Sequence, residues 1–234
     1  MDTSTPRRTI MTTEAHAMTA LFAWFSPAFP VGAFAFSHGL ETAAAEGLVA
    51  GEAGLLRWIE AILTSGGAWT DCVLFAAAYH ATGAEVWTNL RQISALACAL
   101  APSAERLRET LAQGDAFARA VAQGWPDLLP PTLSTGAAYP VVAGAAVAGL
   151  KAPLPHALTA YLTGFAGNCI AVGIRLGLCG QSGGVRILSS LGDVIAQTAH
   201  RATISKLDDL GGCAFGADIA SMRHETLQPR IFAS

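Results

Sequence analysis

From Gly51 onward the apolar positions of the chain return every three or four residues. Leu55, Ile59, Ile62 and Leu63 place one stripe on a helix that stops near Gly66-Gly67. Leu74, Phe75 and Tyr79 carry the next helix, capped by Asp71 and closed by Gly83. Trp87, Leu90, Ile93, Leu96 and Leu100 keep the period until Pro102 ends it. Ser103 then caps the most charged helix of the chain, with Leu107, Leu111, Ala118 and Val121 predicted inward and Glu105, Arg106, Arg108 and Glu109 outward. After a proline-dense loop to Gly136, Tyr139-Pro140 reopens a helix of Ala, Val and Gly that runs to Leu150, small enough for another helix to come close. Two further helices span Pro153 to Leu176 and Val185 to Thr203, with Cys179 to Gly184 as the turn between them. No segment alternates with period two over a convincing length. The pattern predicts an all-α fold, a single compact bundle of about eight to ten helices at a typical length of about 11–12 residues each.

The stretch from Ser26 to Glu41 breaks this pattern. Pro27 and Pro30 exclude ordinary helix interior, because each ring removes a donor and restricts its predecessor. Gly32 allows a turn, Phe34 and Phe36 follow, and Ser37 can cap a short helix through His38, Leu40 and Glu41. The result is a rigid apolar bend that delivers one His and one Glu to a helix start. So many large apolar groups on a bend imply that something covers them.

Composition sharpens that reading. Hydrophobic residues make up 52% of the 234 and charged ones only 13%, against a usual quarter or so charged. Either partners cover much of the surface or the chain sits in a membrane. The apolar spans Leu128–Leu150 and His156–Ile174 contain prolines, an Asn and many alanines, and are poor spanning helices despite a mean hydropathy of +0.42. A net charge of −3 without a basic run gives no reason to expect nucleic acid. Five scattered cysteines, never Cys-x-x-Cys, point away from disulfides and structural zinc and towards a reducing, cytoplasmic setting. Residues 1–17 read as a mobile polar leader without a targeting role, since Glu14, His16 and the two prolines interrupt any signal-like run.

Catalytic chemistry is hard to place. Gly177 to Gly184 is glycine-rich but lacks the Lys-Ser/Thr pair and the preceding strand of a phosphate loop. His38 and Glu41, three apart, are weak metal candidates without a third ligand, and no nucleophile motif appears. The run from Gly216 to Phe232 is more informative. It sets Arg223, His224, Glu225 and Arg230 beside Met222, Ile231 and Phe232. It suits a docking arm about as well as a segment packed on its own domain.

These pieces together resemble the UreF family of urease accessory proteins. The resemblance rests on Ser26-Pro27 through Phe34, Ser37-His38-Gly39-Leu40-Glu41, Ser103 and Glu105, Glu109-Thr110 with Gln113-Gly114, Tyr139-Pro140-Val141, Arg175-Leu176-Gly177 with Gly180-Gln181, and Ile219 to Thr226 followed by Arg230-Ile231-Phe232. It covers roughly residues 19 to 234. The resemblance implies an all-helical homodimer, residues 18–234, that catalyses nothing itself and holds no cofactor. It would bridge the accessory protein UreD/UreH to the GTPase UreG while nickel is placed in apo-urease. It makes the bend and an arm at about 216–234 contact surface, through Pro30, Phe34, Phe36, His38, Glu41, Ser221, Met222, Arg223, His224, Glu225, Arg230, Ile231 and Phe232. A scaffold would use apolar anchors such as Phe34, Phe36 and Phe232, whereas a regulator of GTP hydrolysis would use Glu41, Arg223 or Arg230. Ala104, Leu107 and Asp115 stand where basic residues are expected, so that helix face is not carried over as a UreG contact. A small integral membrane protein is the distant alternative.

Overall fold

The computed structural model describes residues 14–133 and 135–234, and among these it is helical without a strand. Eleven α-helical segments follow one another: α1 (Glu14–Trp24), α2 (Leu40–Ala45), α3 (Gly51–Ser65), α4 (Gly67–Gly83), α5 (Trp87–Ala99), α6 (Ala104–Gly124), α7 (Tyr139–Gly149), α8 (Leu154–Arg175), α9 (Gln181–Ser190), α10 (Gly192–Ile204) and α11 (Phe215–His224). Of the expected leader, residues 1–13 lie outside the described residues, and 14–17 form the first turn of α1, with Ala17 buried.

The small-residue helix is the centre of the bundle. α7 packs most extensively on α4, and Val141, Val142, Ala143, Ala145, Ala146 and Val147 are all fully buried. At Gly144 an added Cβ would stand 2.3 Å from the carbonyl oxygen of Phe75, so only glycine lets the two backbones meet. Gly114 of α6 plays the same part against Ala137, where a Cβ would come within 2.0 Å of the carbonyl. Alongside, Trp24, Phe25 and Phe29 pack on Phe117 and Trp125, with ring centroids 5.3–6.4 Å apart. Within the proline bend, Phe29 is half-buried against Phe117 and Trp125, while Pro27, Ala28 and Pro30 stay exposed and Ser37 to Glu41 are buried.

Some boundaries differ from expectation. Gly183 and Gly184, read as turn, belong to the first turn of α9, buried where a Cβ on Gly184 would meet Ile170 at 2.8 Å. The rod predicted from Val185 to Thr203 breaks at Leu191, yet its stripe continues through Ile187, Leu191, Ile195 and Ala199. Asp71 does not cap α4, which starts at Gly67. Its carboxylate turns inward instead.

Two described stretches pass a length-and-composition test for crossing a membrane, Gly51–Gly83 and Leu154–Arg175. The first is two helices interrupted at Gly66, and 61% and 50% of their most apolar windows are buried within the bundle. Their apolar character is that of core helices.

Candidate functional site

The N-terminal half of α6 overturns the simplest reading of its charges. Ser103 does cap it, its Oγ accepting the Arg106 N–H at 3.1 Å. Yet Glu105 and Glu109 are each 1% exposed and Arg106 13%, whereas Arg108 stays outside at 70%. The inward stripe is Glu105, Glu109, Gln113, Phe117 and Val121, while Leu107 and Leu111 are only half-buried. An acidic first turn suits the helix dipole, but a buried carboxylate persists only with partners. Those partners come from the bend, from α4, from α11 and from the segment that follows it.

At the first group of contacts Arg106 stands in the middle. One of its nitrogens lies 2.5 Å from Glu109 and 3.0 Å from Nδ1 of His38, and the other 3.9 Å from Asp71. His38 has a left-handed φ of 52°, and its ring is held between Arg106 and Phe165, the ring centroids 4.5 Å apart. Burial pushes its pKa down to about 4, with Glu109 pulling up and Arg106 down. Burial raises Asp71 to about 6, against the pull of Arg106 and of the Tyr161 hydroxyl, which donates to it at 3.0 Å. Burial also acts to raise Glu109, but Arg106 and His38 more than offset it and the net shift is downward.

The second group centres on His224, itself fully buried. Its Nδ1 is 2.7 Å from Glu105 and its Nε2 2.9 Å from Glu41. Glu41 also accepts the backbone N–H of Ile231 at 2.6 Å and of Phe232 at 3.0 Å. Arg230 donates to Glu105 at 2.7 Å.

The chain after α11 is thereby stitched to the bend. Ala233 donates to the Ala35 carbonyl at 2.7 Å, and Ser37 donates to the Ser234 carbonyl through both its N–H, at 2.6 Å, and its hydroxyl. The Ser234 hydroxyl donates to Glu109 at 3.1 Å, which links the two groups. Phe232 is buried with the Arg175 guanidinium 4.1 Å over its ring. Gly39, with φ 77°, lets α11 in: a Cβ there would lie 2.8 Å from the Ala217 carbonyl and the Ser221 nitrogen.

The predicted contact residues thus divide. His38, Glu41, Ser221, His224 and Phe232 lie inside the fold and hold the joint together, and Phe36 is half-buried. Pro30, Phe34, Met222, Arg223, Glu225, Arg230 and Ile231 face outward, Phe34 71% and Ile231 65% exposed. His38 and Glu41 do not share a face, because His38 turns to Arg106 while Glu41 turns to His224. Among the described residues no group of three or more His, Cys, Asp or Glu is placed to hold a metal ion. The sequence reading sets Glu105, Arg106 and Glu109 outward and Asp71 at a helix cap, so none is placed at the site, although Glu105 and Glu109 are among the residues that carry the family resemblance. For Glu105 and Glu109 the signal is an acidic i, i+4 pair continuing into Gln113, Phe117 and Val121 in a chain otherwise poor in charge.

Fold and seam together define an all-helical protein in which a proline bend and a C-terminal segment are locked into one joint. The UreF family model matches residues 49–192. The chain is 44% identical to the urease accessory protein UreF of Mesorhizobium japonicum, over 93% of its length and 96% of the relative's. It is 45% identical to UreF of Rhizobium leguminosarum bv. viciae, over 94% and 98%, and to UreF 1 of Brucella canis, over 93% and 94%. The chain belongs to the UreF family.

Proposed function

We propose that the protein is a urease accessory protein. It acts as a non-catalytic scaffold, bridging UreD/UreH to the GTPase UreG while nickel is delivered to apo-urease. The observation that carries this reading is the joint itself. The bend and the C-terminal segment are held by a buried ionic seam, yet Phe34 and Ile231 remain outside as large uncovered anchors. Its relatives carry the name urease accessory protein. We also propose a homodimer working in the cytoplasm, with nickel as cargo of the complex and no resident cofactor on this chain. A regulator of GTP hydrolysis would need Glu41, Arg223 or Arg230 at the nucleotide. Glu41 is enclosed and Arg230 holds Glu105, which favours the scaffold.

Truncation at Asp218 is a poor test, because it strips His224 and Phe232 from the interior. Phe34→Asp and Ile231→Asp are the informative variants, since both positions face water. Co-purification with UreD/UreH and UreG is expected to fail for these variants while helicity stays native. Undiminished capture by both would overturn the proposal.

A further inference from the structure

The contacts around Arg106 close into a ring. Arg106 meets His38, and His38 follows Ser37, whose N–H and hydroxyl donate to the Ser234 carbonyl. The Ser234 hydroxyl donates to Glu109, and Glu109 returns to Arg106 at 2.5 Å. Gln113 completes the far side, donating to Glu109 at 3.0 Å, and Asp71 balances Arg106 from α4. One side chain on α6 therefore touches the bend directly and reaches the C-terminal segment through a single carboxylate. Its side-chain hydrogen bond and ion pairs go to His38, Glu109 and Asp71, not to the exposed groups Phe34, Met222 or Ile231.

We propose that Arg106 is the positioning residue of the joint, fixing the bend and the C-terminal segment in one relative geometry from inside the fold. This rests on the reading of the joint as a docking surface. The guanidinium is suited to the task because its rigid fork serves three partners in different directions. The point charge of a lysine at the same position keeps the charge but cannot span them. Loss of the fork leaves the His38 ring with Phe165 and Glu109 but without its closest polar contact. The left-handed backbone at that residue is then less firmly held, and the adjacent Ser37 to Ser234 contacts loosen. Glu109 keeps its bond to Ser234 but loses its charged anchor, so the segment is released from one end. Arg106 reaches α4 at Asp71, whereas the apolar pairing of α4 with α7 is made by Phe75 and the small residues of α7.

The test is amide hydrogen exchange on the full chain, comparing wild type with Arg106→Lys, Arg106→Met and, as a surface control, Arg186→Met. Arg106→Lys is expected to keep native helicity. Exchange should accelerate about tenfold or more at Ser37, Ile231, Phe232 and Ala233, as for a local opening, and stay unchanged in α7. Arg186→Met should leave all of them unchanged, since its partner Glu52 belongs to a different face. Should Arg106→Met fail to fold, the lysine variant decides. The proposal is overturned if these four amides exchange at the wild-type rate in Arg106→Lys. It is equally overturned if α7 accelerates as much as they do, which marks a global structural role. Capture of UreD/UreH is measured on the same variant. Loosened amides with undiminished capture uphold the positioning role and sink the docking reading beneath it.

Discussion

The α4–α7 contact and the α6 seam are both buried, and they are built from opposite materials. The first is dry: alanine, valine and a glycine that brings backbone against backbone at Phe75. The second is polar and ionic, with the carboxylates of Glu105, Glu109 and Glu41 and the guanidinium of Arg106 in contact with one another or with the rings of His38 and His224, largely out of water. A dry contact is satisfied by shape and costs only fit. An ionic one must have every charge matched, because losing one partner strands the other in a low dielectric. The difference is also one of reach. The dry pair joins two helices, whereas the seam gathers stretches as far apart in sequence as Ser37 and Ser234.

Breaking the seam should therefore cost more than crowding the dry contact. Glu109→Ala leaves Arg106 facing only His38 and a distant Asp71. It is expected to destabilise by about 3–5 kcal/mol, read as a lower urea midpoint with an unchanged slope. Gly144→Ala pushes a methyl against the Phe75 carbonyl and should cost about 1–3 kcal/mol, visible as a lower thermal midpoint.

This contrast explains what could be read in advance. The helices from α3 to α8 were legible because their apolar residues repeat at helical spacing, and Tyr139-Pro140 announced the start of α7. The direction of α6 was not, because a charged residue is assigned to water by default and its periodicity is the same on either face. Only the later positions Phe117 and Val121, in phase with Glu105 and Glu109, pointed inward. The bend and the C-terminal run were identified as special, but their pairing spans nearly the whole chain. No local pattern encodes that Glu41 will accept the amides of Ile231 and Phe232.

Acidity sharpens the comparison, since titration acts on the seam and leaves the dry pair untouched. Asp71 ordinarily loses its proton near 3.8 and here near 6, so the folded chain holds a proton the unfolded chain releases. Wild type should lose stability relative to Asp71→Asn as pH rises from about 4 to 6. His38 works in the other direction. Its ordinary 6.5 falls to about 4, so the unfolded chain takes up the proton first. Wild type should lose stability relative to His38→Gln as pH falls from about 6.5 to 4, each effect being about 3 kcal/mol. The two slopes oppose, and the wild-type profile between pH 4 and 6 should be flatter than that of either variant. Urea titrations at half-unit steps of pH read all three curves.

The smallest effect belongs to an ion pair outside the seam. Arg186 forms a two-bond pair with Glu52 at 2.9 and 2.7 Å, but in water, so Arg186→Met should leave the unfolding midpoint unchanged within error. A large loss there would remove the distinction between buried and surface charge.

The most direct test of that distinction is a double-mutant cycle between Glu105 and His224, using Glu105→Gln and His224→Gln in equilibrium urea unfolding. If the two are buried partners at 2.7 Å, their effects should be non-additive, with a coupling of about 1–3 kcal/mol. If the charges of α6 face water, the effects will add to within about 0.5 kcal/mol, each single change will be small, and the seam does not exist.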